Sequence, residues 1–600
     1  MTTETSDRKG GMGAIPHEHG VAFRVWAPHA SKVSVIGEFN DWSVDATPMV
    51  SEENGNWYVD VEGARIGQEY RFSLTCGDKV LSRIDPYARE VTNSIGNGVI
   101  HDTEFDWEGD EFQLPPWNEI VIYELHVGTF NDKPGGKPGT FEDAIARFGH
   151  LKQLGVNVIQ VMPAAEFAGD FSWGYNPAHI FAVETTYGGP KGFKEFVKAA
   201  HRDGFGVVLD VVYNHFGPSD LDLWQFDGWS ENGLGGIYFY NDWKSETPWG
   251  NTRPDYGRGE VRQFIHDNAM MWLEDYHVDG LRMDMTLYIR TVKPGSDLVD
   301  GWSLTQWINR DVFARYPGRI TIAEDLQNNE WLTKAVEWGG AGFGAQWDAR
   351  FVHPIREAVI GARDEDRSMP AVRDALTFAY NGDPFQRVVY SESHDEVANG
   401  KARVVSEINP EDPREYFAQK KSTLAAGLVC TAPGIPMLFQ GQEFLEGGWF
   451  QDTVPLDWDL KDDFSGIVRL YRDLVRLRLN RDGFSRGLCG RGIRVSHVHD
   501  DNNMLAYHRW DHGGPGDDVV VVVNLAAEVR TNYTIGFPHE GLWKLRLNSA
   551  WKGYSHAFSD HPSADVAAIA GDYDGQSFQA AVTVAPYTLL IYSQDPAPTN

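Results

Sequence analysis

An arginine and an aspartate two positions apart give the first indication of chemistry. They are Arg282 and Asp284, in the short run GLRMD, residues 280–284. The run reads as a buried strand, in which residues two apart share one face. A neighbouring arginine keeps a carboxylate ionised. An ionised aspartate at a strand end serves either as a nucleophile or as one half of a structural ion pair, and these two residues alone leave both interpretations open.

Three further stretches end in the same way, with acidic residues or histidine after an apolar run. They are VVLDVVYNH at 207–215, RITIAED at 319–325 and VVYSESHDE at 388–396. Polar residues that gather at the carboxyl ends of parallel strands are typical of the active face of a TIM barrel. The four stretches therefore predict an α/β fold with a (β/α)8 barrel that carries the site.

In this order, the four stretches resemble the four signature regions of the α-amylase family of glycoside hydrolases and transglycosylases. The resemblance implies that Asp284 is the nucleophile and that Glu324 is the general acid/base. Because Asp284 and Glu324 end neighbouring strands, we expect their carboxyl groups ~5 Å apart, the separation of a retaining pair. Asp395 matches the family's third carboxylate, which grips sugar hydroxyls; the alternative for Asp395 is an Asx turn or a helix cap.

The resemblance also implies a set of substrate-binding residues around this triad. Arg282 would hold the nucleophile charged and Asp210 would buttress Arg282, while His215 and His394 would bind hydroxyls of the sugar at the cleavage point. Tyr175, in WGYNP, resembles the aromatic platform beneath that sugar, and its alternative is packing against Trp173 in the loop.

We expect neither a metal nor a cofactor. In calcium-dependent relatives the residue equivalent to Asn214 is a metal ligand, but calcium needs six to eight oxygen ligands, and the sequence does not supply them around Asn214. The chain has no GxGxxG before a helix, no GxxxxGK[ST], no HExxH and no GxSxG. No other catalytic machinery therefore competes with the carboxylates.

Composition limits the partners. The chain has 53 Lys and Arg against 86 Asp and Glu, a net charge of −33, which repels nucleic acid and anionic membrane. A neutral polymer is the compatible partner, and the family resemblance implies that it is an α-glucan polysaccharide or oligosaccharide; the oligomeric state stays open. Three scattered cysteines, a polar N-terminus and the lack of a stretch of ~18 apolar residues together favour a cytoplasmic enzyme.

Periodicity divides the chain into three domains after a flexible segment at 1–20. Alternating runs predict a β-sandwich at 21–105, similar to the glucan-binding modules of branching and debranching enzymes. The barrel follows at 115–480, with a long insertion at 216–258 that we interpret as a wall of the substrate cleft, and a C-terminal β-sandwich occupies 481–596. The eight barrel strands are predicted at 120–125, 156–162, 207–212, 278–284, 320–324, 343–347, 388–391 and 435–439.

The motifs indicate the catalytic residues more clearly than they indicate whether the enzyme transfers or hydrolyses glucan. YELHVGTF at 123–130, SHDEVANGK at 393–401 and the module ahead of the barrel resemble 1,4-α-glucan branching enzymes. Met285 and Asp325 depart from the residues usual in that group. The alternatives are a hydrolase, either α-amylase-like or acting on maltooligosyl trehalose, and a glucan-binding protein without catalysis.

Overall fold

A computed structural model of the chain describes residues 8–133, 135–559 and 561–596. Its N-terminal part consists of two small antiparallel sheets, β1-β2-β5-β4 and β3-β6-β7, with β8 added to β6. Val21, Phe23, Val35 and Phe72 from both sheets share one core, which is the sandwich that the alternating pattern predicts. The strands are β1 (Gly13–His17), β2 (Gly20–Trp26), β3 (Lys32–Gly37), β4 (Val50–Ser51), β5 (Asn56–Glu62), β6 (Glu69–Cys76), β7 (Lys79–Arg83) and β8 (Gly98–Val99).

The segment expected to be flexible, 1–20, is structured in its second half. Gly13–His17 pairs antiparallel with β2 along its whole length. The first seven residues lie outside the described part of the chain. The run GAIPH shows no alternation of apolar and polar residues, and its Pro16 is tolerated because β1 is an edge strand with one partner only.

The barrel is closed and parallel, as the sequence predicts. Its strand order is β9-β10-β13-β14-β15-β16-β17-β18 and back to β9, while β11 and β12 form a separate pair on the loop side. Each predicted barrel strand is present, with ends that differ by up to a few residues. The strands in this region are β9 (Ile122–Leu125), β10 (Val158–Val161), β11 (Ala165–Phe167), β12 (Pro177–Val183), β13 (Gly206–Val211), β14 (Gly280–Met283), β15 (Ile320–Ala323), β16 (Ala345–Trp347), β17 (Arg387–Val389) and β18 (Ile435–Phe439).

Thirteen helices are described in the same region, and most of them cover the outside of the barrel. They are α1 (Val127–Phe130), α2 (Phe141–Ile145), α3 (Phe148–Leu154), α4 (Gly189–Asp203), α5 (Gly259–Glu274), α6 (Thr286–Arg290), α7 (Val299–Arg315), α8 (Ala349–Ile360), α9 (Met369–Thr377), α10 (Val404–Ile408), α11 (Tyr416–Thr431), α12 (Leu460–Asp463) and α13 (Ser465–Arg478). Among the described residues, none of these helices is long and apolar enough to cross a membrane.

The side-chain period of two explains how the barrel presents its polar residues. Ile122, Val158, Val208 and Ile322 fill the barrel interior, and the alternate residues pack outward against the helices. Two positions further along each strand, the interior face reaches the carboxyl end of the barrel. Polar residues that follow the interior residues by two positions must therefore lie close together at the carboxyl end of the barrel.

The C-terminal part is all-β but forms one continuous eight-stranded antiparallel sheet, in the order β19-β20-β21-β26-β23-β24-β25-β22. The predicted sandwich arises because this sheet folds over itself: Ala506, Val520, Val582 and Leu590 from its two halves share one core. The strands are β19 (Gly492–His499), β20 (Met504–Trp510), β21 (Val519–Asn524), β22 (Arg530–Phe537), β23 (Gly541–Asn548), β24 (Val566–Tyr573), β25 (Gln576–Val584) and β26 (Thr588–Ser593).

The first half of the insertion docks onto the N-terminal module, a contact that the cleft-wall interpretation of 216–258 did not include. Asp227, fully buried, accepts from the backbone N–H of His29 at 2.9 Å and lies 2.8 Å from its ring Nδ1. Arg83 donates to the carbonyl oxygen of Phe226 at 2.9 Å, and Trp26 packs edge-on against Tyr238. These contacts fix the module against the barrel.

Candidate functional site

Arg282 lies at the centre of the site and contacts three carboxylates. Its Nη1 is 2.7 Å from Asp210 Oδ2 and 3.1 Å from Asp284 Oδ1, and its Nη2 is 2.7 Å from Glu324 Oε2. The strand register produces this arrangement, because Asp210 is opposite Arg282 on the neighbouring strand β13. The ring of Trp347 covers the guanidinium at 4.3 Å. One buried cation thus holds the three carboxylates that the sequence motifs supply.

Asp284 is oriented from two sides. Besides the contact with Arg282, its Oδ2 accepts from Asn214 Nδ2 at 2.7 Å, and the same amide reaches the Asp284 carbonyl oxygen at 2.9 Å. Burial raises the pKa of Asp284 to about 6; Arg282 opposes this shift and Asp210 adds to it. The carboxylate is therefore held in one orientation and is mostly ionised near neutral pH.

Glu324 is fully buried and has a free oxygen. Its Oε2 accepts from the backbone N–H of Met285 at 3.0 Å, while its Oε1 has no hydrogen-bond partner among the described residues. Burial raises the pKa of Glu324 to about 8, against the effect of Arg282 and with the help of Asp284 and Asp395. At neutral pH Glu324 accordingly holds a proton that Asp284 has lost. An acid beside an ionised carboxylate is the arrangement that glycosidic bond cleavage requires.

Met285 adopts a left-handed conformation, with φ 35° and ψ 56°, which is uncommon for a residue other than glycine. In this conformation its N–H donates to Glu324, and Met285 forms the N-cap of helix α6. Asp325, the other departure from the usual motif, lies away from Arg282 and binds Arg290 at 2.8 and 2.9 Å. Met285 therefore acts on the site through its backbone N–H, whereas Asp325 binds the side chain of Arg290.

Tyr175 contacts both Asp210, one of the carboxylates around Arg282, and His394. Its hydroxyl donates to Asp210 at 2.7 Å, and its ring stacks on the His394 imidazole with centroids 4.9 Å apart. Trp173 packs instead on Phe450 at 5.2 Å. The structure thus brings Tyr175 to the site rather than leaving it as loop packing.

The two histidines that the motifs supply differ in charge. Burial lowers the pKa of His215 to about 4, and its ring is stacked at 4.4 Å on Trp249, from the second half of the insertion. Burial also opposes charge on His394, but Glu124 and Asp395 outweigh it and raise the pKa of His394 to about 9. Near neutral pH, His215 is neutral and His394 is a cation.

Glu124 is a residue of the site that sequence reasoning missed. It is fully buried in β9, and its carboxylate accepts from the backbone N–H of His394 at 3.1 Å and lies 2.8 Å from the ring Nδ1. The signal was present in the sequence: Glu124 follows the interior residue Ile122 by two positions, as Arg282 follows Gly280. It was missed because the first strand belongs to none of the four motifs.

Asp395 is the most open of the acidic residues, with its side chain 36% exposed. Its Oδ1 accepts from Asn399 Nδ2 at 3.2 Å and is 3.7 Å from His394 Nε2. In the described chain, no backbone N–H donates to its carboxylate as an Asx turn or helix cap would require. The carboxylate therefore remains available to a ligand.

No group of three or more His, Cys, Asp or Glu within the described ranges is placed to hold a metal ion. Both functional atoms of the Asn214 amide are engaged, Nδ2 by Asp284 and Oδ1 by the ring of His215. In this structure Asn214 orients the side chains of Asp284 and His215.

The pairing of Glu124 with His394 generates a prediction. Glu124→Gln removes the buried negative charge, so the pKa of His394 should fall from about 9, although Asp395 still favours the charged ring. NMR titration of the imidazole resonances measures this, with His394→Gln used to assign the signal. Glu443→Gln is the matched control because Glu443 is an equally buried carboxylate that binds His150. An unchanged His394 titration in Glu124→Gln would contradict the assignment.

Family models match three parts of the chain. Residues 11–88 match carbohydrate-binding module 48, the isoamylase N-terminal domain. Residues 124–228 match the α-amylase catalytic domain, and residues 495–595 match the α-amylase C-terminal all-beta domain.

Similar proteins are found over nearly the whole chain. The 1,4-alpha-glucan branching enzyme of Paramagnetospirillum magneticum is 30% identical over 609 residues, covering 96% of this chain and 80% of that protein. A branching enzyme of Xanthomonas euvesicatoria is 31% identical, covering 90% and 74%.

Solved structures share the fold. A putative alpha amylase from Salmonella typhimurium, 23% identical, has a TM-score of 0.74 with 98% of this chain and 100% of that one covered. A type I pullulanase from Bacillus subtilis, 22% identical, has a TM-score of 0.76 with 98% and 86% covered. With its barrel, its motifs and relatives that match 90–96% of its length, the chain belongs to the α-amylase family of glycoside hydrolases and transglycosylases.

Proposed function

We propose that this enzyme is a 1,4-α-glucan branching enzyme, which cleaves an α-1,4 bond and transfers the released chain to a 6-hydroxyl of a glucan. The observation that carries the proposal is the pair formed by Asp284 and Glu324, which contact one guanidinium but differ in proton affinity. The relatives named branching enzyme, similar along most of their length, support transfer as the outcome.

The proposed chemistry has two steps. Glu324 gives its proton to the glycosidic oxygen while Asp284 attacks the anomeric carbon. A glycosyl ester forms on Asp284, and the sugar chain that carries the protonated oxygen leaves. Glu324, now ionised, takes a proton from the incoming hydroxyl as that oxygen displaces Asp284. Arg282 offsets the negative charge on whichever carboxylate is ionised.

The supporting roles follow from the contacts. Asp210 and Asn214 hold Arg282 and Asp284 in place, and Tyr175 supports the sugar ring beside them. His215 as a neutral group, His394 as a cation and Asp395 as an open carboxylate would bind the sugar hydroxyls. Three free thiols are compatible with a cytoplasmic location, which we include in the proposal.

Whether the glycosyl ester meets a sugar hydroxyl or water decides between transfer and hydrolysis. A second glucan held beside the ester competes with water through its effective concentration. The second half of the insertion places Trp249 against His215, with Tyr288 edge-on at 5.4 Å. This aromatic edge of the site offers a surface on which a sugar ring can stack.

Substitution of either carboxylate should abolish turnover. Asp284→Ala removes the nucleophile and Glu324→Gln removes the transferable proton, so each should lower kcat on amylose by at least about 100-fold while the fold remains. Glu357→Gln, at an exposed position on α8, is the matched control and should retain the parent rate. A near-parental rate in either site variant would reject the assigned roles.

The pH dependence follows from the two pKa values. Activity should fall below about pH 6 as Asp284 gains a proton, and above about pH 8 as Glu324 loses one. The resulting bell-shaped profile is measured as kcat/KM on a soluble maltooligosaccharide, with circular dichroism at each pH to verify the fold. A rate that keeps rising beyond pH 9 would show that Glu324 is not the acid.

The reaction outcome is decided by product analysis. Proton NMR of amylose treated with the enzyme should show growing α-1,6 anomeric signals while the total number of glycosidic linkages stays constant. A debranching enzyme should then restore linear chains. If linkages decrease and short linear sugars or trehalose accumulate, the hydrolase alternative is correct and the transfer proposal fails.

A further inference from the structure

Two exposed tryptophans lie on the loop that follows β15, the strand that ends one residue before Glu324. The loop, residues 326–344, begins two positions after Glu324 and accepts hydrogen bonds from side chains of helix α7. On it, Trp331 is 43% exposed and Trp338 is 75% exposed. Burial of such side chains is strongly favourable, so their exposure requires an explanation.

The loop is fixed in place by its main chain. Gly339, with φ +87°, accepts at its carbonyl oxygen from Trp302 Nε1 of α7 at 3.1 Å. A Cβ at Gly339 would lie 3.9 Å from the ring of Trp331, and the Ala341 N–H donates to the Trp331 carbonyl oxygen at 2.9 Å. The rings of Trp302 and Trp331 therefore lie close to Gly339, and Trp338 directly precedes Gly339 in the chain. We call these three tryptophans and the glycine the Gly339 tryptophan cluster.

The outer surface of the cluster combines apolar faces with polar groups. The ammonium of Lys334 lies 3.9 Å from the centre of the Trp331 ring, and exposed Glu337 adjoins Trp338. Within the described chain, no aromatic ring or cation packs on the ring of Trp338. The ring is thus a flat, unoccupied face beside hydrogen-bonding groups.

The size of the cluster argues against a stable protein partner. At these exposures the two tryptophans offer roughly 300 Å², whereas a stable protein interface buries about 800 Å² on each partner. A pyranose ring is smaller, and its apolar face and peripheral hydroxyls match an indole ring bordered by charged groups. The net charge of −33 further favours a neutral ligand.

We propose that the Gly339 tryptophan cluster is a second binding site for α-glucan, separate from the catalytic residues and lying on the outer side of the barrel. The proposal rests on the proposed function, because it takes its ligand class from the substrate of the same enzyme. Its role is to retain a long chain beside the enzyme, so it acts on polymers and leaves short substrates unaffected.

The test is the double variant Trp331→Ala/Trp338→Ala in the full chain. In an Asp284→Ala background, where no turnover occurs, its affinity for amylose in affinity gel electrophoresis should fall at least about fivefold. In the active enzyme, KM for amylose should rise while kcat/KM for maltoheptaose stays at the parent value. Trp551→Ala removes a tryptophan of similar exposure, 44%, from the C-terminal part, and should change neither value.

The outcomes separate this proposal from the proposed function. Unchanged amylose affinity in the double variant overturns the second site alone. Equal losses on amylose and maltoheptaose also overturn it, because the loop would then act through the fold or the catalytic residues. If the unmodified enzyme neither binds nor converts α-glucan, the proposed function fails first.

Discussion

The buried guanidinium of Arg282 is the interaction on which the site depends. Taking an arginine and three carboxylates out of water is costly, and the cost is offset only when the charges contact one another closely. Arg282 meets Asp210, Asp284 and Glu324 within 3.1 Å. Loss of one partner of a buried pair typically costs about 3–5 kcal/mol, because the other charge stays buried and unpaired. The positions of Asp210, Asp284 and Glu324 are therefore tied to that of Arg282.

Strand geometry makes such a contact possible. Strands β13, β14 and β15 are consecutive in the barrel, so their interior residues come into register. Gly280, two residues before Arg282, has no side chain, and a Cβ there would lie 2.4 Å from Ile320 Cγ1 and 2.5 Å from its carbonyl oxygen. The glycine permits β14 to approach β15 this closely. The close packing of these two backbones thus sets the distance between Asp284 and Glu324, which follow β14 and β15.

Environment then gives different roles to residues of the same type. Asp284 and Glu324 are both buried, but Asn214 donates to Asp284, whereas one oxygen of Glu324 has no partner among the described residues. His394 faces Glu124 and carries charge, whereas His215 lies between Asn214 and Trp249 and does not. Two carboxyl groups and two histidines consequently supply the site with a protonated carboxyl group, an ionised carboxylate, a cation and a neutral imidazole.

The sequence alone determined the barrel and the residues at its carboxyl end. Apolar runs with a period of two fix which residues face inward, and the motifs at 207–215, 280–284, 319–325 and 388–396 place Asp210, Arg282 and Asp284 among them. The same rule would have found Glu124. This much is local information, since periodicity is a property of one strand.

Only the tertiary structure decided which surfaces these elements meet. It placed half of the insertion on the N-terminal module through Asp227, joined the C-terminal strands into one folded sheet and directed Asp325 to Arg290 instead of Arg282. Charge states were likewise decided there, because a pKa depends on burial and on groups that come from distant strands. Such contacts join residues that are far apart in the chain, and no pattern within a single segment encodes them.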